Sequence, residues 1–453
     1  MPGDFPPEVE REAAAAAAAS PASPGDGRAD HRDLPLLTID PEGSRDLDQA
    51  VAITRLGDGH RVHYAIADVA ALVAPGGAVD AEARARGVTV YMPDRRSPLH
   101  PAAIGEGAGS LLPGEDRPAL LWTIDLDAAG EPVAADLTRT VVRSRRAMSY
   151  AEAQAAIDAG GGDPTPALLR EVGLARLARE AERGGVSLSV PVQEVVAQDD
   201  GGFGLRYETP LPVEDWNAQV SLLAGICAAR IMIDGGVGLF RTLAPAEPRD
   251  LASLRRSARA LGVPWAEGAR YGDVVRALDP ADPHHAAFAV RAARLFGGAA
   301  YTPWRREDGT EPPVHAAIAA VYAHVTAPLR RLADRFANEI VLAFCEGREP
   351  PAWAVAPLDE IAATMAATGQ RERQAERAAI DLVEAAVLAP RVGESFPAVV
   401  TDVRDDRVTV QVADPAVVAP LEDGAATPGE RISARLVTAD PATRRVRFAR
   451  GPG

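Results

Sequence analysis

Apolar and polar positions follow two patterns along the chain, and the first of them predicts strands. From Leu34 onward, the β-branched and apolar runs "AVAITRL" and "RVHYAIADVAALV" flank the short turn "GDG". Two such runs joined by a glycine-containing turn are typical of a β-hairpin. The stretch "ALLWTIDLDAAGEPVAADLTRTVVRS" repeats the design around "AAGEP". We therefore predict two hairpins in the first third of the chain.

The second pattern, apolar residues at helical spacing, dominates the middle of the chain. One or two helices are expected between Ala316 and Phe344, with an interruption at "TAPLRR". The other predicted helices lie in 149–159, 166–185, 250–298 and 359–389, and in the largely apolar, buried stretch "VEDWNAQVSLLAGICAARIMIDGG".

The pattern changes at both ends of this region and suggests domain boundaries. After Pro390, short alternating strands with tight turns predict a small barrel of about 60 residues. Ahead of Leu34, an alanine run and "SPASPGDG" predict a low-complexity tail that is disordered or partly helical. We thus divide the chain into a tail, 1–33, a main domain, 34–390, and a barrel, 391–453.

Composition is that of a globular protein, and charge restricts its partners. The 453 residues are 47% hydrophobic and 25% charged, and the net charge is −16. All 48 basic residues are arginine, because the chain has no lysine. The overall field therefore repels polyanions and anionic membranes. A nucleic-acid partner would have to meet a local arginine-lined channel and metal ions.

Cysteine content and the N-terminus bear on the compartment. Cys227 and Cys345 are the only cysteines, which excludes a disulfide scaffold and a cysteine zinc site. The N-terminus lacks the charged start and apolar core of a signal peptide. No segment has the roughly 18 uninterrupted apolar residues that a membrane span needs. We expect a cytoplasmic protein with no membrane partner.

The segment "TIDPEGSRDLDQA" concentrates carboxylates at Asp40, Asp46 and Asp48 between two apolar runs. Carboxylates this close raise one another's pKa unless a positive charge lies among them. Asp46 and Asp48 share one side of an extended segment, and a turn at "PEGS" brings Asp40 to the same point. This geometry suits magnesium. The alternative is a solvated loop of turn and cap residues; an EF-hand does not match, because its glycine and glutamate are misplaced.

A second cluster stands far downstream in "YAHVTAPLRRLAD", where Arg330 and Arg331 follow a proline at a predicted helix start. Arginine forks suit phosphate oxygens, although a solvated helix end would look the same. Carboxylates for metal and arginines for phosphate together indicate phosphoryl-transfer chemistry.

With these motifs the chain resembles the ribonuclease II/R exoribonucleases, from about Leu34 to Leu388. Their order along the chain is similar to that in the RNB catalytic domain of the family. The motifs that carry the resemblance are "TIDPEGSRDLDQA", "YAIADVAALVAPGGAVDAEARARGVTVYMPDRRSPLHP", "SLLPGEDRPAL", "VHAAIAAVYAH", "YAHVTAPLRR" and "QRERQAERAAIDL". The resemblance implies an α+β RNB domain, a mixed sheet surrounded by helices, followed by an S1-like OB-fold barrel.

The resemblance also implies an activity and its metal site. The family hydrolyses single-stranded RNA from the 3′ end to nucleoside 5′-monophosphates, with Mg²⁺ or Mn²⁺ and two ions when substrate is bound. Asp40, Asp46 and Asp48 would hold the metal, with Gln49 at the fourth position of the motif. Asp48 matches the aspartate that the family needs most for cleavage.

Four residues carry the implied RNA contacts. Arg330 matches the arginine that stabilises charge on the phosphate, and Arg331 is its predicted partner in phosphate binding. Tyr91 matches the tyrosine that packs on the 3′-terminal nucleotide, and Glu376 a glutamate of the same cavity. No protein partner is indicated.

The chain departs from the family pattern at several points. Gln49 replaces an acidic residue and Gly225 an asparagine, so we expect weaker metal binding and do not transfer a ribose contact. Only about 33 residues precede the main domain, where longer members carry two cold-shock barrels. The barrel's only aromatics are Phe396 and Phe448, so we expect stacking platforms to be scarce. The alternative function is therefore an RNA-binding protein that keeps the RNB fold with attenuated catalysis.

Overall fold

The structure is a computed structural model that describes residues 2–23, 27–161, 163–187, 192–198, 201–279, 282–404, 407–422 and 426–451. The strands are β1 Ala29–His31, β2 Leu37–Asp40, β3 Gln49–Leu56, β4 Gly59–Ala67, β5 Val90–Tyr91, β6 Arg96–Ser97, β7 Asp116–Leu126, β8 Pro132–Arg143, β9 Arg146–Ser149, β10 Val192–Ala197, β11 Phe203–Glu208, β12 Val237–Thr242, β13 Ala300–Arg305, β14 Ser395–Arg404, β15 Arg407–Val412, β16 Val417–Glu422, β17 Arg431–Asp440 and β18 Arg445–Arg450.

The helices are α1 Pro7–Ala18, α2 Ala78–Arg86, α3 Tyr150–Ala159, α4 Pro164–Arg183, α5 Pro212–Gly235, α6 Pro248–Ala260, α7 Tyr271–Arg276, α8 Pro283–Ala293, α9 Leu332–Cys345, α10 Ala352–Val355 and α11 Leu358–Leu388. Short helical turns lie at Val69–Ala71, Ala103–Ala108, Arg294–Phe296, Arg306–Asp308 and Ala389–Arg391.

A seven-stranded mixed sheet forms the centre of the main domain, in the order β1-β8-β7-β4-β3-β2-β9. Its inner strands pair antiparallel, whereas the edge strands β1 and β9 pair parallel with β8 and β2. Both predicted hairpins are confirmed: Leu56 lies opposite Gly59 at the end of β3–β4, and Leu126 lies opposite Pro132 at the end of β7–β8. The architecture is the expected α+β class.

Alternation along the strands gives the sheet two different faces. On β3, Val51 and Ile53 enter the large core cluster, which also holds buried residues of α4, α5 and α9. The intervening Ala50 and Ala52 face the opposite, smaller cluster. The helices thus cover the face with the larger side chains, where most apolar area is removed from water.

Helix α5 is the long apolar helix that the sequence predicts. By length and composition alone it could cross a membrane. In the structure Val220, Leu223 and Met232 of this helix are fully buried in the large core cluster. The fold therefore accounts for its apolar character.

The segment ahead of residue 34 is helical and packed in its described part. Val9 and Ala13 of α1 are buried against Val69 and Ile104. The Glu12 carboxylate accepts hydrogen bonds from the backbone amides that begin α2, 2.7 Å from the nitrogen of Ala78. Of the two forms expected for 1–33, the structure shows the helical one, and β1 adds a strand to the main sheet from this segment.

Residues 316–331 are not helical, contrary to the expectation for this region. Helix α9 begins only at Leu332. Backbone groups here bond to distant segments instead: the amide of Arg241 donates to the oxygen of Tyr322 at 2.8 Å, and that of Ala323 to Gly225 at 3.1 Å. Pro328 also lacks the amide hydrogen that a helix needs. Backbone hydrogen bonds to distant segments have therefore replaced the hydrogen bonds of a helix in this region.

The C-terminal region is a closed five-stranded barrel in the order β14-β15-β16-β18-β17. Phe396 and Phe448 meet edge to face inside it, with ring centroids 5.9 Å apart. Arg291 and Arg294, on and directly after α8, donate to the Asp402 carboxylate of β14 at 3.0 and 2.7 Å. The predicted barrel is confirmed, and both of its aromatic rings belong to its core.

Candidate active site

The loop between β2 and β3 carries the three predicted aspartates, and Ser110 fixes its path. The Ser110 hydroxyl donates to the oxygen of Arg45 at 2.7 Å and accepts from the amide of Leu47 at 2.9 Å. The amide of Leu111 donates to the oxygen of Leu47 at 2.9 Å. Asp46 and Asp48, on either side of Leu47, are held in place by these bonds.

Asp48 is the most deeply buried of the three, at 3% exposure. Its Oδ1 accepts from the backbone amide of Leu329 at 2.7 Å, and its Oδ2 lies 3.3 Å from Nε of Arg330. Oδ2 is buried and has no hydrogen-bond partner among the described residues. Burial raises the pKa of Asp48 to about 8, against the opposing charge of Arg330. This carboxylate therefore has one oxygen that is hydrogen-bonded and one buried oxygen that is not.

Asp40, at the end of β2, is the second incompletely satisfied carboxylate. Its Oδ2 is also buried without a hydrogen-bond partner in the described part of the chain. Burial raises the pKa of Asp40 to about 6; the charge of Arg330 lowers it and that of Asp46 raises it further. The same arginine thus acts on both Asp40 and Asp48, and the joint metal binding of the three aspartates remains a prediction.

Asp46 is engaged by protein groups. Its Oδ2 accepts from the Tyr91 hydroxyl at 2.5 Å, and its Oδ1 lies 3.4 Å from Nη1 of Arg96. Arg96 also pairs with Glu106. The sequence interpretation missed Arg96, although "MPDRRSP" follows Tyr91 directly and offers two arginines a few residues after the aromatic residue.

Gln49 is engaged in a hydrogen-bond network of its own. Its Nε2 donates to the backbone oxygen of Thr326 at 2.6 Å, and its Oε1 accepts from the buried Tyr64 hydroxyl at 2.5 Å. The Ser221 hydroxyl lies 3.5 Å from the same Oε1. An amide oxygen accepts two hydrogen bonds. The oxygen that the sequence interpretation gave to the metal is therefore occupied, and its use as a ligand remains a prediction.

Arg330 and Arg331 are neighbours with different environments. The Arg330 side chain is 42% exposed and pairs with Asp48. The Arg331 side chain is 19% exposed and donates to the fully buried Asp334 carboxylate, 2.8 Å from Nη2 to Oδ2. Asp334 also accepts from the amide of Ala327 at 2.7 Å. Arg331 thus holds the loop in which Arg330 lies, whereas Arg330 can reach a ligand.

A cavity of about 330 Å³ opens beside these groups. We call it the active-site cavity. Its lining combines one exposed aromatic ring with several cations: Tyr91, Arg241, Arg330, Arg331 and Arg373. The carboxylate in this lining is Glu372 of α11. Glu376 lies one turn further along α11, exposed and outside this lining, so its predicted RNA contact remains a prediction.

His324 and Trp304 have structural partners. Nδ1 of His324 lies 2.6 Å from the Tyr301 hydroxyl, and burial keeps the pKa of His324 well below its usual value, so the ring is neutral. Trp304 is 5% exposed and donates from Nε1 to the oxygen of Thr310 at 2.9 Å. Both rings therefore have a hydrogen-bond partner within the protein.

The site fits a divalent cation in its donor chemistry. Among the described residues no group of three or more His, Cys, Asp or Glu side chains is arranged to hold a metal ion. Asp40 and Asp48 nevertheless each present a buried oxygen without a hydrogen-bond partner, and carboxylate oxygens are the ligands that Mg²⁺ prefers. These two residues would hold the ion.

Comparison with known families matches both parts of the chain. Residues 28–347 match the RNB domain, and residues 394–451 match the RNase II-type exonuclease C-terminal S1 domain. The chain belongs to the RNB domain family. It is 27% identical over 443 residues to ribonuclease R of Thermotoga maritima, which covers 92% of this chain and 61% of that protein.

Solved structures share the fold. Mycoplasma genitalium RNase R gives a TM-score of 0.89 in its apo form, at 19% identity over all of this chain and 76% of that one. Its complex with ribose methylated single-stranded RNA gives 0.88, at 18% identity and the same coverage. Yeast Ssd1, a pseudonuclease, gives 0.69 at 16% identity, covering 94% of this chain and 53% of its own. The fold is therefore shared with proteins named RNase R and with one named a pseudonuclease.

Proposed function

We propose that this chain is a divalent-metal-dependent exoribonuclease that hydrolyses single-stranded RNA from the 3′ end and releases nucleoside 5′-monophosphates. The observation that carries the proposal is the pairing of Asp48 with Arg330. A buried carboxylate oxygen without a hydrogen bond lies 3.3 Å from a half-exposed guanidinium, at the edge of a cationic cavity. The RNB match, with ribonuclease R among the relatives, supports the reaction class.

In the proposed reaction, water attacks the last phosphodiester. Its oxygen bonds to phosphorus, and the bond from phosphorus to the 3′ oxygen of the shortened strand breaks. That oxygen takes a proton and leaves as a 3′ hydroxyl, and the released nucleotide keeps a 5′ phosphate. A cation held by Asp40 and Asp48 would, when bound, activate water near neutral pH and neutralise phosphate charge. Arg330 would stabilise charge on the phosphate, and Tyr91 would pack on the terminal base.

A non-catalytic RNA-binding protein is the second candidate. Gln49 uses its amide on Thr326 and Tyr64, and Asp46 is held by Tyr91 and Arg96. One structural relative, Ssd1, is a pseudonuclease. The retained Asp40, Asp48 and Arg330 favour the enzyme. The cytoplasmic location expected from the sequence is part of the same proposal, as are the boundaries at residues 34 and 391.

The test uses 5′-labelled single-stranded RNA, with magnesium or with EDTA, resolved at single-nucleotide length. We expect a magnesium-dependent ladder that descends from the 3′ end, and loss of at least about 10³-fold in rate for Asp48→Asn. Asp58→Asn, an exposed aspartate in the turn between β3 and β4, is the matched control and should retain the ladder. Intact RNA in every lane, from folded protein that still binds RNA, would establish the second candidate instead.

A further inference from the structure

The N-terminal segment, residues 2–18, is bound to helix α2 at both ends of that helix. At the start of α2, the Glu12 carboxylate accepts hydrogen bonds from the first two amides, at 2.7 and 3.2 Å. At its end, the Arg86 guanidinium lies 3.7 Å from the centre of the Phe5 ring and donates from Nη2 to the oxygen of Gly3 at 2.8 Å. Because both ends are held, these contacts set the position and the direction of α2.

The segment that follows α2 is bonded to the loop that carries Arg330. The oxygen of Gly87 accepts from the amide of Leu332 at 3.0 Å. The amide of Thr89 donates to the oxygen of Arg330, also at 3.0 Å. The backbone of Arg330 is therefore held by residues whose own position depends on α2.

Apolar packing links the N-terminal segment to the same loop a second time. Val9 and Ala13 of α1 belong to the buried cluster that includes Leu329. The amide of Leu329 donates to Asp48 at 2.7 Å. The N-terminal segment thus supports two adjacent loop residues, Leu329 through side-chain packing and Arg330 through α2.

The position of Arg330 depends strongly on its backbone, because its side chain is 42% exposed. Its Nε lies 3.3 Å from Oδ2 of Asp48. A shift of the loop would move this guanidinium relative to the phosphate that it stabilises in the proposed reaction. A misplacement of about 1 Å can lower a reaction rate about 10²-fold. Contacts far from the active-site cavity can therefore control the rate.

We propose that the N-terminal segment positions Arg330 for the reaction, with Glu12 and Phe5 as its positioning residues. The inference rests on the proposed function and extends it to the segment ahead of the main domain. Neither Glu12 nor Phe5 lines the active-site cavity, so each acts through α2. Docked on α2, they fix the backbone that presents Arg330 to the phosphate.

The test uses full-length variants and measures single-turnover cleavage rates and the Kd for the same RNA. Glu12→Ala removes the acceptor of both amides and should lower the rate about tenfold. The Kd, measured in EDTA, should stay within about twofold, because contacts to the other phosphates remain. Glu12→Gln keeps one accepting oxygen and should lose no more than about threefold in rate. Glu8→Ala, at an exposed glutamate of α1, is the matched control and should be unchanged.

A double-mutant cycle shows whether Glu12 acts through Arg330. Arg330→Ala alone is expected to lower the rate about 10²-fold. If Glu12 controls the position of Arg330, Glu12→Ala should cost no more than about twofold in the Arg330→Ala background. A segment that only stabilises the fold would lower the rate by the same factor in both backgrounds.

Phe5→Leu provides a second, milder variant. It keeps an apolar side chain and removes the ring that lies against Arg86. The rate should fall about threefold, again with no further loss in the Arg330→Ala background. All rates are measured below the melting transition of every variant, so that unfolded protein does not contribute, and Phe5→Leu decides the question if Glu12→Ala does not fold.

Equal rates for the parent, Glu12→Ala and Phe5→Leu, or equal losses in both backgrounds, would overturn the positioning role while the proposed function stands. Absence of cleavage by the parent, folded by its melting curve, would overturn both proposals.

Discussion

The active-site loop and the barrel differ in the groups that they bury. In the loop, Asp40 and Asp48 keep buried oxygens without hydrogen-bond partners, beside a half-exposed Arg330. In the barrel, Phe396 and Phe448 fill a closed core by apolar contact. Unsatisfied buried polar groups cost stability, whereas buried aromatic rings contribute it. The comparison indicates that the loop is maintained for chemistry and the barrel interior for folding.

The largest expected stability effect lies in the barrel. Phe448→Ala removes a fully buried ring and should lower the free energy of unfolding of the barrel by about 3 to 5 kcal/mol. Urea denaturation followed by circular dichroism measures it. The rate of nucleotide release per folded molecule should stay within a few-fold of the parent. An unchanged unfolding free energy of the barrel together with a strongly reduced rate of nucleotide release would contradict the comparison.

The neighbouring arginines sharpen the comparison inside the loop itself. Arg331→Ala leaves the Asp334 carboxylate buried without its partner and should cost about 3 kcal/mol in unfolding free energy. Arg330→Ala should lower the cleavage rate about 10²-fold, because it removes a charge from the phosphate site, with little change in melting temperature. Parallel thermal melts and single-turnover rates distinguish the two. A loss of stability in Arg330→Ala together with a loss of cleavage rate in Arg331→Ala would mean that the roles of the two arginines are reversed.

Gln49→Glu tests whether the chain tolerates at position 49 the acidic residue of the family motif. The carboxylate would face the Thr326 oxygen, to which the amide now donates at 2.6 Å. Loss of this buried bond should cost about 1 to 3 kcal/mol. Thermal melts give the stability, and titration with Mg²⁺ by calorimetry gives the metal affinity. A more stable variant with tighter Mg²⁺ binding would show that position 49 is a ligand position after all.

A further expected effect is a pH dependence of the metal-free protein. The pKa of Asp48 rises from an ordinary 3.8 to about 8 on folding, so the folded state holds a proton that the unfolded state releases. Stability from this group is therefore full below pH 3.8 and declines as pH rises toward 8. The melting temperature of the parent minus that of Asp48→Asn, in EDTA, should fall across this window. A constant difference would contradict the buried, proton-binding state of Asp48.

Local patterns predicted much of the fold. The hairpins β3–β4 and β7–β8, the buried helix α5 and the terminal barrel all follow from periodicity over contiguous residues. The non-helical path through Tyr322 does not, because its backbone bonds to Arg241 and Gly225, far away in sequence. Gly225 shows the reason: a Cβ there would lie 2.2 Å from the Tyr322 ring. The close approach of Tyr322 therefore explains why position 225 has no side chain.

The proximity of some candidate residues could be predicted from the sequence, and their hydrogen bonds less so. The resemblance to the ribonuclease II/R family placed Asp40, Asp48 and Arg330 together, and the structure brings them together. The partners of Gln49 depend on Thr326, which local pattern cannot bring near it. The Arg331 pair with Asp334, by contrast, has a spacing of three at a helix start and could have been read from the sequence.

The most direct test of the central claim uses RNA with sulfur in place of one non-bridging oxygen at the last phosphodiester. If a cation at Asp40 and Asp48 contacts that phosphate, one sulfur diastereomer should be cleaved slowly in Mg²⁺ and faster in Mn²⁺, while unmodified RNA is cleaved in both. Equal slowing in Mg²⁺ and Mn²⁺ for both diastereomers would contradict a metal at the scissile phosphate. No cleavage of unmodified RNA in either metal would contradict the enzymatic function itself.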